Sequence, residues 1–124
     1  MAANETFCLG FNEFEGVIKS CWQELQREND LCDITLACEE KQIKTHKFVV
    51  CTFSPVLRNI LKLHQNKHPL IYLRKVKYVN LQSLITFMYQ CEVYISEEDL
   101  PSFLEAAEDL NIRGLSESEE YKRQ

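Results

Sequence analysis

The sequence predicts an α+β domain in which helices predominate over a small mixed sheet, and three patterns carry that expectation. Phe14, Val17, Ile18, Cys21, Trp22 and Leu25 recur at helical spacing. Leu31 to Thr45 alternates about a Glu39-Glu40 turn, which reads as a hairpin. A second helical stripe runs through Leu81, Leu84, Ile85, Met88 and Tyr89.

In chain order, Thr6 to Phe11 is aromatic and apolar enough for a short strand placed before any core-forming helix. Asn12, with Glu15 three residues on, offers an N-cap for the first helix. Ile34, Leu36 and Cys38 share one face of the hairpin's first strand. From His46 to Phe53 the run is almost continuously apolar, a pattern that a buried strand and a buried helix share. Ser54-Pro55 supplies a cap and a first-turn proline for a helix with Val56, Leu57, Ile60 and Leu61 on one face, ending near His64. Leu70 to Leu73 reads as a short strand and Val93 to Ile95 as a last one. Ser96 to Asp99 is an acidic turn, and after Pro101 a helix carries Phe103, Leu104, Ala107 and Leu110. Asn111 to Leu115 forms one further turn. Residues 6–115 are therefore one domain, and the polar stretch 116–124 is a tail or the start of a linker.

A chain of 124 residues has room for a single domain, and folding would bury roughly two thirds of its unfolded surface. Fourteen basic against nineteen acidic residues leave a net charge of -5, a poor overall field for a phosphate backbone, so protein partners are favoured over nucleic acid. The basic run Arg74-Lys75-Val76-Lys77 reads as a solvated turn. Three glycines, Gly10, Gly16 and Gly114, are too widely spaced for a phosphate-binding loop, so no nucleotide cofactor is expected. No signal pattern opens the chain, and its longest apolar run is far too short for a bilayer.

The six cysteines lie in apolar settings, with Cys21 on a helical face, Cys38 ending a strand and Cys51 inside an apolar run. They are expected as reduced structural thiols. No close cysteine pair announces zinc. His64 and His68 have metal-ligand spacing, but Gln65 stands where a metalloprotease needs glutamate and Pro69 closes the helix. His46 and Cys51 are the only close thiol and base, with no turn to present them, and no serine sits in a nucleophile elbow. The expectation is a non-enzyme without metal or cofactor.

Leu31-Cys32-Asp33-Ile34-Thr35-Leu36, Ile43-Lys44-Thr45-His46-Lys47, Phe53-Ser54-Pro55-Val56-Leu57 and Ile85-Thr86-Phe87-Met88-Tyr89, in this order, resemble the BTB/POZ domain. The segments Phe7-Cys8-Leu9-Gly10-Phe11-Asn12, Lys67-His68-Pro69, Glu92-Val93, Leu100-Pro101 and Ile112-Arg113-Gly114-Leu115 are similar more narrowly to the tramtrack-type BTB domains of arthropod zinc-finger transcription and chromatin factors. The likeness spans about Thr6 to Leu115. Two departures stand out. The subgroup's usual Phe-Cys-Leu-Arg-Trp-Asn has Gly10 for arginine and Phe11 for tryptophan, and its usual glycine before Glu-Val is Cys91, which implies an altered turn, or a strained one if its φ is positive.

The resemblance implies a strand-exchanged homodimer, in which the first strand pairs with a sheet of the other subunit and the first helices pack across a two-fold axis, with larger assemblies through Phe7 to Phe11. The interface residues it implies are Phe7, Cys8, Leu9, Phe11, Phe14, Val17, Ile18, Cys21 and Trp22. Asp33 and Lys47 occupy the family's charged pocket near the dimer axis, read here as a structural ion pair, with a peptide-binding role as the alternative. The implied function is homo-oligomerisation and protein interaction in a nuclear transcription or chromatin regulator. Its partners would be itself, other BTB chains, and corepressor or chromatin proteins. The runner-up is a cullin-type ubiquitin-ligase adaptor, which Leu63-His64-Gln65 fits poorly for want of a glutamate. An ion-channel tetramerisation domain has no membrane segment to support it.

Overall fold

The computed structural model describes residues 4–115; the tail or linker expected over 116–124 lies outside the described residues. Among the described residues, five α-helices and one short 3-10 helix pack with a three-stranded sheet. The α-helices are α1 (Phe14–Leu25), α2 (Lys47–Phe53), α3 (Pro55–Leu63), α4 (Tyr78–Gln90) and α5 (Leu100–Asp109). The strands are β1 (Ile34–Cys38), β2 (Lys41–Thr45) and β3 (Leu70–Tyr72), in the order β2-β1-β3. The predicted hairpin pairs β1 with β2 antiparallel, Ile34 opposite Thr45 and Cys38 opposite Lys41, while β3 lies parallel to β1. Glu39 and Glu40 make the two-residue turn at φ 50° and 63°, the twist that a tight hairpin needs and that glycine or asparagine ordinarily supplies.

The central strand β1 is buried along its whole length, as a strand flanked on both edges and packed by helices must be. Ile34, Leu36 and Cys38 join Val49, Val50, Leu57, Leu81, Leu84, Met88 and Phe103 in the core. The apolar run from His46 resolves as helix α2. Ser54 caps α3 as its sequence foretold, accepting the Leu57 N–H at 3.1 Å, and its own hydroxyl donates to the Leu110 carbonyl at 2.7 Å. The Arg113 N–H donates to the Phe53 carbonyl at 2.8 Å, which ties the last turn to the end of α2.

Two local expectations change and a third holds. Helix α1 begins at Phe14 after Glu13, with no side-chain cap, so Asn12 is not its N-cap. Residues 6–11 and 93–95 carry no regular secondary structure, because a strand is defined by its neighbour and among the described residues neither segment has one. Cys91 ends α4 with φ 65° and ψ 15°, the left-handed conformation in which the subgroup's glycine would be unstrained. The expected strain at this position is therefore present.

Candidate functional site

Helix α1 is amphipathic yet has no buried residue. It is held to the domain by one side. Trp22 donates its indole N–H to the Met88 carbonyl at 2.8 Å and meets Phe48 edge-on with ring centroids 5.5 Å apart. Gln90 reaches Gln26 at 2.8 Å. The rest of its apolar stripe, Phe14, Val17 and Ile18, is open to solvent, and so is Phe48 on α2, 71% exposed. Ahead of the helix Phe7 and Leu9 are 83% and 93% exposed, and Phe11 is also exposed. Between α1, α2 and the end of α4 lies a cavity of ≈ 330 Å³ lined by Phe14, Ile18, Trp22, Phe53 and Cys91.

Of the predicted interface residues, Phe7, Cys8, Leu9, Phe11, Phe14, Val17, Ile18 and Cys21 are exposed and Trp22 is half-buried. Cys21, expected on an apolar helical face, is exposed, because α1 turns Trp22 and Leu25 toward the core and position 21 away from it; Cys8 is exposed as well. Cys38 is buried and Cys51 half-buried, as expected, and all six thiols are free.

Asp33 and Lys47 come together, but through the backbone. The Asp33 carboxylate accepts the Lys47 backbone N–H at 2.7 Å, and the Lys47 ammonium donates instead to the Asn66 carbonyl at 2.8 Å. The expected ion pair is a helix-cap bond: His46 ends the approach to α2 without capping it by side chain, and Asp33 supplies the missing acceptor for the first turn.

Sequence reasoning missed a buried polar chain behind this pocket. His46 is buried, with Nε2 3.2 Å from the Glu28 carbonyl and Nδ1 hydrogen-bonded to the Tyr89 hydroxyl, which in turn lies 2.5 Å from Thr45 Oγ1. A carbonyl only accepts, so Nε2 carries a proton; in the neutral ring Tyr89 then donates to Nδ1 and Thr45 donates to Tyr89. The chain links the loop after α1 to β2, α2 and α4. Burial pushes the Tyr89 phenol above its ordinary pKa, against the Thr45 hydrogen bond, which lowers it. The thiol beside His46 in the fold is Cys32 at 3.9 Å, whereas Cys51 is the one close to it in sequence. Burial, with Asp33 nearby, holds that thiol protonated and makes it a poor nucleophile. His68, one of the two spaced histidines, bonds Thr35 Oγ1 at 2.8 Å.

A three-stranded sheet packed with helices, beside an amphipathic helix whose apolar residues stand exposed, defines a domain suited to meeting other proteins. The chain belongs to the BTB/POZ domain family, whose model matches residues 22–124. BTB/POZ domains are protein-interaction modules. In Drosophila melanogaster, the Longitudinals lacking protein-like is 38% identical over 118 residues, covering 95% of this chain and 93% of that protein. Protein tramtrack, alpha isoform, is 37% identical over 97% of this chain, and Sex determination protein fruitless 38% over 94%. These matches bear out the tramtrack-type resemblance. The chain spans only 15% and 12% of the latter two proteins. Among solved structures, the BTB domain of zebrafish PATZ1 superposes with a TM-score of 0.72 at 15% identity, covering 90% of this chain and 92% of that one. The BTB domain of human gigaxonin gives 0.69 at 14%, covering 86% and 88%. At such identities the likeness shows the fold alone.

Proposed function

We propose that this domain is a homo-oligomerisation and protein-interaction module of a nuclear transcription or chromatin regulator, and that it raises the avidity of a DNA-binding region elsewhere in the parent chain. The observation that carries this reading is the set of exposed apolar residues Phe7, Leu9, Phe11, Phe14, Val17 and Ile18, with exposed Phe48 against Trp22, and a first helix with no buried residue of its own. A surface of this kind is costly in water and is covered when two copies meet about a two-fold axis, which buries the same patch twice. The segments 6–11 and 93–95, which have no ladder partner among the described residues, supply main-chain groups for pairing between copies. The tramtrack-type relatives support the nuclear assignment. Joining weak DNA-binding units in this way raises avidity by about 10²–10⁴ without any base contact from the module, which suits its net charge of -5.

Light scattering after size exclusion, across a dilution series, tests the core of the proposal. The expected mass is twice that of one chain or more. A mass of 14.6 kDa at every concentration refutes it.

A further inference from the structure

Charge is divided along this chain in a way that its net value does not reveal. From Lys41 to Cys91 there are nine lysines and arginines and not one aspartate or glutamate; all nineteen acidic residues lie in the flanking sequence. This basic stretch contains β3, an edge strand of the sheet. The Pro69 carbonyl accepts the Thr35 N–H at 3.0 Å and the Ala37 carbonyl accepts the Leu73 N–H at 2.8 Å. Positions 69, 71 and 73 therefore turn their backbone toward β1, and strand alternation turns the N–H and C=O of Leu70 and Tyr72 outward.

Among the described residues nothing pairs with that outer edge, and the Leu70 and Tyr72 side chains are 55% and 57% exposed. A groove of ≈ 370 Å³ lined by Ile60, Leu61, His64 and Pro69 runs beside them. The other edge of the sheet is made differently. There β2 itself carries Lys41 and Lys44, exposed within the strand, which is how proteins discourage edge pairing. The three residues of β3 have no such guard; their cations, Lys67 before the strand and Arg74 and Lys75 after it, stand exposed at its two ends.

We infer that the outer edge of β3 is a docking site for an extended partner peptide with an apolar centre and acidic ends, which adds as a fourth strand to the sheet. The outward backbone groups of Leu70 and Tyr72 pair with its main chain, the groove takes one of its apolar side chains, and the flanking cations select its carboxylates. A second copy of this chain suits the edge less well. Two-fold pairing centred on Ile71 would set Lys67 directly opposite the second copy's Lys75, and like charges so placed repel. Nucleic acid would meet the cations but leave the apolar edge and its main-chain groups unused.

The test titrates the full chain with two labelled synthetic peptides that share a Val-Thr-Val-Thr-Val centre, one ending in glutamates and the other in lysines. The glutamate peptide should bind at least about tenfold more tightly at low salt, with the preference shrinking as salt rises. Tyr72→Pro removes one outward N–H without breaking the ladder to β1 and should weaken binding about three- to tenfold. Lys67→Glu combined with Lys75→Glu, both on exposed side chains, should abolish the preference. If Tyr72→Pro unfolds by circular dichroism, the charge-reversal pair decides alone. Equal binding of the two peptides, an unchanged preference in the charge-reversal pair, or wild-type affinity in folded Tyr72→Pro overturns the inference. So does a duplex DNA that displaces the glutamate peptide, or a drop in assembly mass in Tyr72→Pro, which would give the edge to a second copy.

Discussion

Replacing Tyr89 by phenylalanine removes one oxygen and keeps the ring, so its cost reads the buried polar chain directly. In the native domain that hydroxyl serves Thr45, which is fully buried, and His46, 6% exposed. Tyr89→Phe forfeits two hydrogen bonds and leaves the His46 Nδ1 lone pair without a donor in a site that water does not reach. Two neutral bonds at about 1 kcal/mol each, with part of a desolvation penalty for the orphaned nitrogen, sum to about 2–3 kcal/mol. The assay is urea denaturation at neutral pH and fixed protein concentration, since association adds to apparent stability. The midpoint should fall by about 1 M. Thr45→Val alone should cost less, and the double variant should cost less than the sum of the two, because both remove the same bond. A midpoint within about 0.2 M of wild type, or strict additivity in the cycle, would refute the directional chain from Thr45 through Tyr89 to His46.

Further outcomes follow from the same geometry. Burial raises the folded-state pKa of Tyr89 above its ordinary 10.0, so its contribution is complete below pH 10 and is lost as pH climbs through the raised value; the stability gap between wild type and Tyr89→Phe should narrow in strongly alkaline urea titrations. Cys91→Gly relieves a left-handed backbone and should gain about 1 kcal/mol, seen as a melting point higher by a few degrees; no gain would mean that the corner is unstrained. Asp33→Ala should cost about 1–2 kcal/mol through the lost cap of α2, whereas Lys47→Ala should stay within about 0.5 kcal/mol, a disparity that a true ion pair would not show in chemical denaturation. Replacing Phe7, Leu9 and Phe11 together by serine should leave the circular dichroism spectrum intact and lower the assembly mass in light scattering; an unchanged mass would move the interface elsewhere.

The elements that the sequence disclosed are those whose signal is local. The helical stripes of α1 and α4, the Ser54-Pro55 start of α3 and the Glu39-Glu40 turn each announce themselves within a few residues, and each stands where expected. His46 to Phe53 could not be resolved by pattern, because a nearly continuous apolar run fits a buried strand and a buried helix alike, and only Val49 and Val50 of the helix are in fact buried. The His46–Tyr89 contact joins residues 43 apart, and no spacing rule signals such a pair. Asp33 and Lys47 were correctly brought together, but charge alone suggested an ion pair where the backbone N–H is the donor. The predicted strands at 6–11 and 93–95 have no neighbouring strand among the described residues, and no local pattern signals that.

Glu39, Glu40, Lys75, Cys91 and Asn111 all occupy conformations that glycine visits freely, in a protein that spends only one of its glycines, Gly114, on such a corner. The fold therefore sits below the stability its own backbone would permit. Glycine at Glu40, a bend apart from the α1 face and the β3 edge, offers a route to a sturdier variant that leaves both patches intact, and a reagent of that kind would let binding defects be separated from unfolding in any mutational survey of the domain.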